Sequence, residues 1–398
     1  MKKYVTISLV LSVSLFFSCK TIDSQQSDEG VNVMAYYYPS RGDYNPENLP
    51  LEKLTHIIWS FTEVIDNEMK FKRDTSGIML KSLVKQKRKH PHLKVMIACG
   101  GWSGSGGFSE MARLPENRKK FVESVVDFIK EYKLDGLDID WEYPGMPGIG
   151  NPYIPEDKEN FTALMCELRE ALDNISKEQV LTFAAAGWDR FFEHIELDKV
   201  MNCVTFMNIM TYDNVTGGTP YTAHHTNLGW VRRADMSGTP ADIKMKEEGD
   251  TLDPSSTQKI ISFLVEKGVK PSQLVIGAAF YGRAWKGVPP ENNGLYQINS
   301  GVWPEPARYS DIRERMEDKN GFVRYWDTIA LAPYLYNVTD SIFISYEDTV
   351  SIKLKTKYVI DRGMGGIMFW QLGGDTDKDG LVEAIYTEKT RPSGKNIF

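Results

Sequence analysis

Cysteine is scarce in this chain: four in 398 residues, one of them Cys19 near the start. The other three, Cys99, Cys166 and Cys203, are odd in number and each sits in an apolar run, so buried free thiols are expected and a disulfide framework is not. An excess of basic side chains is missing too. With 47 Lys and Arg against 54 Asp and Glu the net charge is −7, which argues against nucleic acid as a partner. The basic cluster at 81–90 reads as the solvated face of a helix. The apolar run at 5–17 is too short to span a bilayer as a mature helix. There is no internal repeat, and no Ser/Gly/Pro-rich linker cuts the chain after residue 30. What remains is 41% apolar, 12% aromatic and 25% charged, a globular composition with an aromatic surplus that excludes wholesale disorder, collagen-like repeats and coiled coil.

The chain begins like an export signal. Lys2 and Lys3 precede the apolar run at 5–17, and Ser18 and Cys19 close it. This resembles a bacterial lipoprotein signal, in which Cys19 becomes lipidated and forms the new N-terminus. A simple secretory peptide with an incidental cysteine is the alternative, and under either reading the protein leaves the cytoplasm. Residues 20–30 are small and polar, as a tether should be.

Eight runs rich in β-branched and aromatic residues follow, at 31–38, 55–61, 94–101, 136–142, 181–187, 204–213, 274–282 and 365–371. Helical patterns separate most of them, for example 117–133 and 157–174, with apolar residues three and four apart. Nearly continuous apolar strands between helices mean a parallel sheet covered on both faces. An open doubly wound sheet satisfies that pattern, but eight strands point to a closed (β/α)8 TIM barrel, with its chemistry at the C-terminal ends of the strands. The gap between the seventh and eighth runs is about twice what a crossover helix needs. It carries aromatic strand patterns at 322–326 and 342–346 and a charged helix at 309–319, so 286–357 reads as a small α+β insertion domain, with 31–285 and 358–390 as the barrel.

Charge concentrates in the fourth run, Asp135-Gly136-Leu137-Asp138-Ile139-Asp140-Trp141-Glu142-Tyr143. Asp138, Asp140 and Glu142 occupy i, i+2 and i+4, so on a strand all three point to one face and Leu137, Ile139 and Trp141 to the other. In a barrel they stack inside and rise towards the rim. Burial and like charge both raise carboxyl pKa values, which makes the outermost, Glu142, the natural proton donor. A calcium loop is the competing reading, disfavoured by the bulky apolar residues in between.

This D-G-x-D-x-D-x-E strand resembles the signature of glycoside hydrolase family 18, the chitinases and endo-β-N-acetylglucosaminidases. Further segments are similar to the family's motifs: Ala98-Cys99-Gly100-Gly101-Trp102 after the third strand, Met210-Thr211-Tyr212-Asp213 after the sixth, Phe280-Tyr281-Gly282-Arg283 after the seventh, and Trp370 on the eighth. The resemblance implies that Glu142 is the catalytic acid. Asp140, steadied by Asp138, would orient a substrate 2-acetamido group with Tyr212 and Asp213. Tyr36, Gly100, Gly101, Trp102, Tyr143, Met210, Tyr281, Arg283 and Trp370 would bind substrate, Trp370 as the floor of the central sugar site. Ala98 departs from the family, which usually has serine there. The implied reaction is hydrolysis of β-1,4 links between N-acetylglucosamine units of chitin with retained configuration, by a monomer that needs no cofactor. An endo-β-N-acetylglucosaminidase acting on N-glycan cores and a surface glycan-binding protein without turnover are the alternatives.

Two features tempt a metal assignment. His224 and His225, in the long loop at 217–229, lack a third ligand. Asp375-Thr376-Asp377-Lys378-Asp379-Gly380 opens like an EF-hand, but its twelfth position is Tyr386 where a bidentate Glu is required. No metal site is expected.

Overall fold

The computed structural model describes residues 30–39, 44–73, 75–304 and 308–392. The leader, Cys19 and the tether up to residue 29 lie outside the described residues.

Eight parallel strands form the barrel: β1 (Asn32–Tyr37), β2 (His56–Ile65), β3 (Lys94–Gly100), β4 (Gly136–Asp140), β5 (Val180–Ala186), β6 (Phe206–Met210), β7 (Leu274–Ala279) and β8 (Gly366–Trp370). Each pairs in parallel with the next, and β8 pairs with β1, which closes the (β/α)8 barrel. Period-two alternation sorts the side chains. Met34, Tyr36, Ile58, Met96, Ala98, Tyr212, Val275 and Met368 form one cluster, filling the barrel. The intervening Val33, Ala35, Ile57, Trp59, Val95, Ile97, Leu137 and Ile139 join the larger core beneath the helices. Helix Pro115–Tyr132 shows how the outer layer is held. Proline at its start costs no hydrogen bond, Lys133 closes it in the left-handed conformation, and the Phe121, Val125 and Ile129 stripe is buried. Each such side chain stabilises the docking by about 1.5–3 kcal/mol.

After β7 the chain builds a second, antiparallel sheet in the order Phe322–Asp327, Ala332–Asn337, Ile342–Ser345, Arg283–Lys286, around Trp285, Tyr334, Tyr336 and Phe343. The boundary at 286 falls at the end of the strand Arg283–Lys286, and that at 357 falls inside helix Thr349–Asp361, which packs on the last helix, Leu381–Lys389, in the barrel's outer layer.

One expectation is corrected. Cys166 and Cys203 form a disulfide between helices Asp157–Asp173 and Leu197–Cys203, with Cα atoms 5.0 Å apart, and among the described residues only Cys99 is a free buried thiol. The odd count required one unpaired thiol, but apolar surroundings do not forbid pairing when two helices are neighbours. Closing a loop of 37 residues contributes about 4 kcal/mol in the chain-entropy account. The EF-hand-like stretch is a helix start: the Asp375 carboxylate accepts the backbone N–H groups of Thr376, Leu381 and Val382.

Candidate active site

Register sets the first layer of the site. Ala98, Asp138 and Thr182 stand side by side on β3, β4 and β5. Asp138 is fully buried and accepts hydrogen bonds from Tyr36 Oη (2.9 Å), Thr182 Oγ1 (2.5 Å) and Asn208 Nδ2 (3.2 Å). Burial pushes its carboxyl up to about 6, against the pull of those donors. Asn208 Nδ2 also lies 3.1 Å from Tyr36 Oη. Asn208 and Thr182 had no place in the sequence-based site, although a polar residue inside the apolar runs of β6 and β5 was the available signal.

Asp140 and Glu142 lie above it, 5% and 7% exposed. Asp140 Oδ1 has no hydrogen-bond partner among the described residues. Its carboxyl is pushed well up by burial first, then by the charges of Glu142 and Asp138. Burial likewise lifts Glu142 to about 7, Asp213 adding to the rise and a hydrogen bond from Tyr143 opposing it. The Glu142 backbone is held by two side chains: its N–H donates to Ser105 Oγ (2.9 Å) and its carbonyl accepts Asn151 Nδ2 (3.1 Å). The turn after β3 passes so close that a Cβ on Gly100 would stand 2.1 Å from the Asp140 carbonyl, and φ there is +114°. Gly101, at φ +84°, donates its N–H to the same carbonyl at 2.8 Å. Only glycine suits either place.

Asp213 follows β6 with φ 56°. Arg283 grips its carboxylate with Nε and Nη2, both at 2.8 Å, and His225 Nδ1 lies 3.6 Å away. Burial opposes ionisation, but His225 and Arg283 outweigh it and hold Asp213 well below the usual carboxylate range. Tyr212, buried on the same wall, has its ring 6.1 Å from that of Tyr281. Met210 packs at the edge of the barrel's inner cluster.

Aromatic rings extend the site in two directions. Trp370 stacks on Phe61 at 5.5 Å, with Tyr36 at 6.2 Å and the half-exposed Tyr38 at 6.5 Å. On the other side the exposed Trp102 meets Tyr143 at 6.4 Å, and Tyr143 meets Trp188 at 5.5 Å. Phe61 lies against the floor, and it, Tyr38 and Trp188 are further rings at this mouth that the sequence motifs do not include. Every residue expected in the site from described positions therefore lies around one barrel mouth. The two histidines part company: His224 Nε2 is 3.1 Å from Asp327 of the small sheet, while His225 is wholly buried beside Asp213. Among the described residues no group of three His, Cys, Asp or Glu side chains is placed to hold a metal.

Comparison with known proteins agrees with this geometry. The chain is 31% identical to Chitinase A1 of Niallia circulans over 95% of its own length, and spans 61% of that protein. It is 28% identical to Chitinase B of Serratia marcescens, covering 84% of this chain and 76% of that one. Among solved structures it superposes on a family 18 N-acetylglucosaminidase from Paenibacillus barengoltzii with TM-score 0.78 at 36% identity, over 90% of this chain and 99% of the other. A chitinase of Bacillus thuringiensis gives TM-score 0.81 at 30% identity, over 91% and 70% of the two chains. The model of the glycosyl hydrolases family 18 matches residues 33–375, and the chain belongs to that family.

Proposed function

We propose that this protein is a chitinase that hydrolyses β-1,4 links between N-acetylglucosamine units by substrate-assisted catalysis. The observation that carries the reading is the state of the three carboxylates at the mouth. Two-carboxylate glycosidases place an acid and an ionised partner on opposite sides of the scissile bond. Here Asp140 ends β4 and Glu142 follows it two residues on, both have raised pKa values, and the ionised Asp213 is committed to Arg283. That leaves the sugar's own acetamido oxygen as nucleophile, a route known among glycosidases. Glu142 gives its proton to the leaving oxygen as the C1–O bond breaks. The acetamido carbonyl closes on C1 to an oxazolinium ion. Asp140, whose Oδ1 is unengaged among the described residues, accepts the acetamido N–H, and Tyr212 donates to the carbonyl. Water then adds to C1 while Glu142 takes back a proton, and the configuration is retained. Trp370 with Phe61 forms the floor of the central sugar site, and Trp102, Tyr143 and Trp188 offer ring faces beyond it.

The test is incubation with chitin hexamer and, separately, with a high-mannose glycopeptide, products being read by mass spectrometry. Chitooligosaccharides from the first and no cleavage of the second are expected. The converse result would turn the reading into an N-glycan endoglycosidase, and no product from either would leave a binding protein.

Ala98 offers a finer test. It stands beside Asp138 on the neighbouring strand, where a serine hydroxyl could donate to the inner carboxylates and favour their charged form. One such bond is worth about 0.5–1.5 kcal/mol. Ala98→Ser should therefore move the acid limb of the rate profile down by roughly 0.4 to 1 pH unit. An unchanged limb would show that these groups do not govern it.

Export and lipid anchoring through Cys19 belong to the same proposal. The Cys166–Cys203 bridge supports export, because such bonds persist in oxidising compartments. Cys19→Ala should shift the protein from the membrane to the soluble fraction and abolish labelling by a fatty-acid probe. A monomeric state belongs to the same proposal.

A further inference from the structure

Behind the Tyr212 wall lies an ion pair that the mechanism above does not use. Glu347 and Lys355, on either side of the cap of helix Thr349–Asp361, have side chains with no exposure at all and are joined Nζ to Oε1. Burying two charges seldom stabilises a fold more than apolar residues of equal volume would, so stability alone does not account for the pair.

Its contacts point towards the site. Lys355 Nζ donates to Thr226 Oγ1 at 3.0 Å and to the carbonyl of Gly277, on β7, at 3.3 Å. Glu347 accepts Thr226 Oγ1 at 2.7 Å and Ser351 Oγ at 2.5 Å. Thr226 directly follows His225, whose ring lies 5.2 Å from Tyr281 and whose Nδ1 is 3.6 Å from Asp213. The His225 backbone N–H donates to Ser345 Oγ at 2.9 Å, which ties the same loop to the small sheet. The Gly277 carbonyl also accepts Thr211 Oγ1 at 2.7 Å, and the Gly277 N–H returns a bond to that hydroxyl at 2.9 Å, fixing the residue before Tyr212. The Tyr212 ring lies against Gly277 so closely that a Cβ there would come within 2.8 Å of it.

We infer that Lys355 and Glu347 are positioning residues: the buried pair clamps β7, the loop after β6 and the exit of the insertion so that Tyr212 and Asp213 stand in register with the acetamido group. The inference rests on the substrate-assisted reading. Small displacements of such groups cost far more in the transition state than in binding the ground state.

The test uses the whole protein with both charges removed at matched volume, Glu347→Gln with Lys355→Met. A second variant, Thr226→Val, keeps the ion pair and deletes only its link to the loop. Melting temperature, kcat and KM on chitotetraose are measured, with inhibition by a thiazoline analogue of the oxazolinium ion and by the product chitobiose. The double variant should fold, lose about tenfold in kcat and in affinity for the thiazoline, and change about twofold or less in KM and chitobiose binding. Thr226→Val should move the same two quantities in the same direction by about threefold. A folded double variant with wild-type kcat and thiazoline affinity would overturn the inference. If the double variant does not fold, wild-type values for Thr226→Val overturn it and the expected losses support it. A wild-type protein that turns over chitotetraose but ignores the thiazoline would overturn the substrate-assisted reading first, and the inference with it.

Discussion

Glu142→Gln should reduce turnover of chitin oligosaccharides by about 10² to 10⁴ or more, because a sugar hydroxyl leaves poorly without a proton. Asp140→Asn should be slow as well, for a different reason: it leaves the acid in place but removes the carboxylate that orients the acetamido N–H and steadies the charge of the closing ring. An aryl glycoside with a low leaving-group pKa separates the two. It needs little protonation, so it should rescue Glu142→Gln substantially and leave Asp140→Asn nearly as impaired as on oligosaccharides. Equal rescue of both, or of neither, would mean that the two carboxylates have been assigned wrongly. The same substrate pair reads the pH dependence. Burial lifts Glu142 to about 7, and the acid works only while protonated, so turnover of oligosaccharides should fall as pH rises through about 7. That alkaline limb should be absent when Glu142→Gln acts on the aryl glycoside.

The part of this site that could be read from sequence is the part that lies along one strand. Alternation alone puts Asp138, Asp140 and Glu142 on one face. Gly100 and Gly101 carry only a resemblance to a substrate-binding motif in the sequence, and the 2.1 Å approach to the Asp140 carbonyl emerges from the fold. Contacts between distant segments left weaker traces. Asn208 and Thr182 reach Asp138 from β6 and β5, and one polar residue in an apolar run does not name its partner. Phe61, apolar and inside a strand, reads as core lining until β8 brings Trp370 beside it. The Cys166–Cys203 bridge depends on two helices lying together, which an odd cysteine count does not reveal. In the insertion, Ala332–Asn337 carries a weak strand signal because Pro333 argues against a central strand, yet it pairs on both sides. The ion pair of Glu347 and Lys355 is the extreme case, since at the level of sequence two charges eight residues apart look like a solvated helix face.

Chitosan stripped of every N-acetyl group should not be cut at all. Under the proposed mechanism the reactive oxygen comes from the substrate. Asp140 and Glu142 stand on one wall with raised pKa values, and Asp213 is held by two guanidinium nitrogens of Arg283. A well-placed intramolecular nucleophile corresponds to an effective concentration of about 10⁵ to 10⁸ M, so losing it removes most of the rate, not a fraction of it. Partially acetylated chitosan makes the requirement visible link by link. Cleavage turns the sugar that supplied the acetamido group into the new reducing end. Mass spectrometry of end-labelled products should therefore find N-acetylglucosamine at every new reducing end, whatever lies on the far side of the cut. Proton NMR in the first minutes should show the β-anomer before mutarotation, as two successive displacements at C1 demand. Glucosamine at a substantial share of new reducing ends, or efficient hydrolysis of the fully deacetylated polymer, would require a protein nucleophile and would refute the acetamido group as the attacking species.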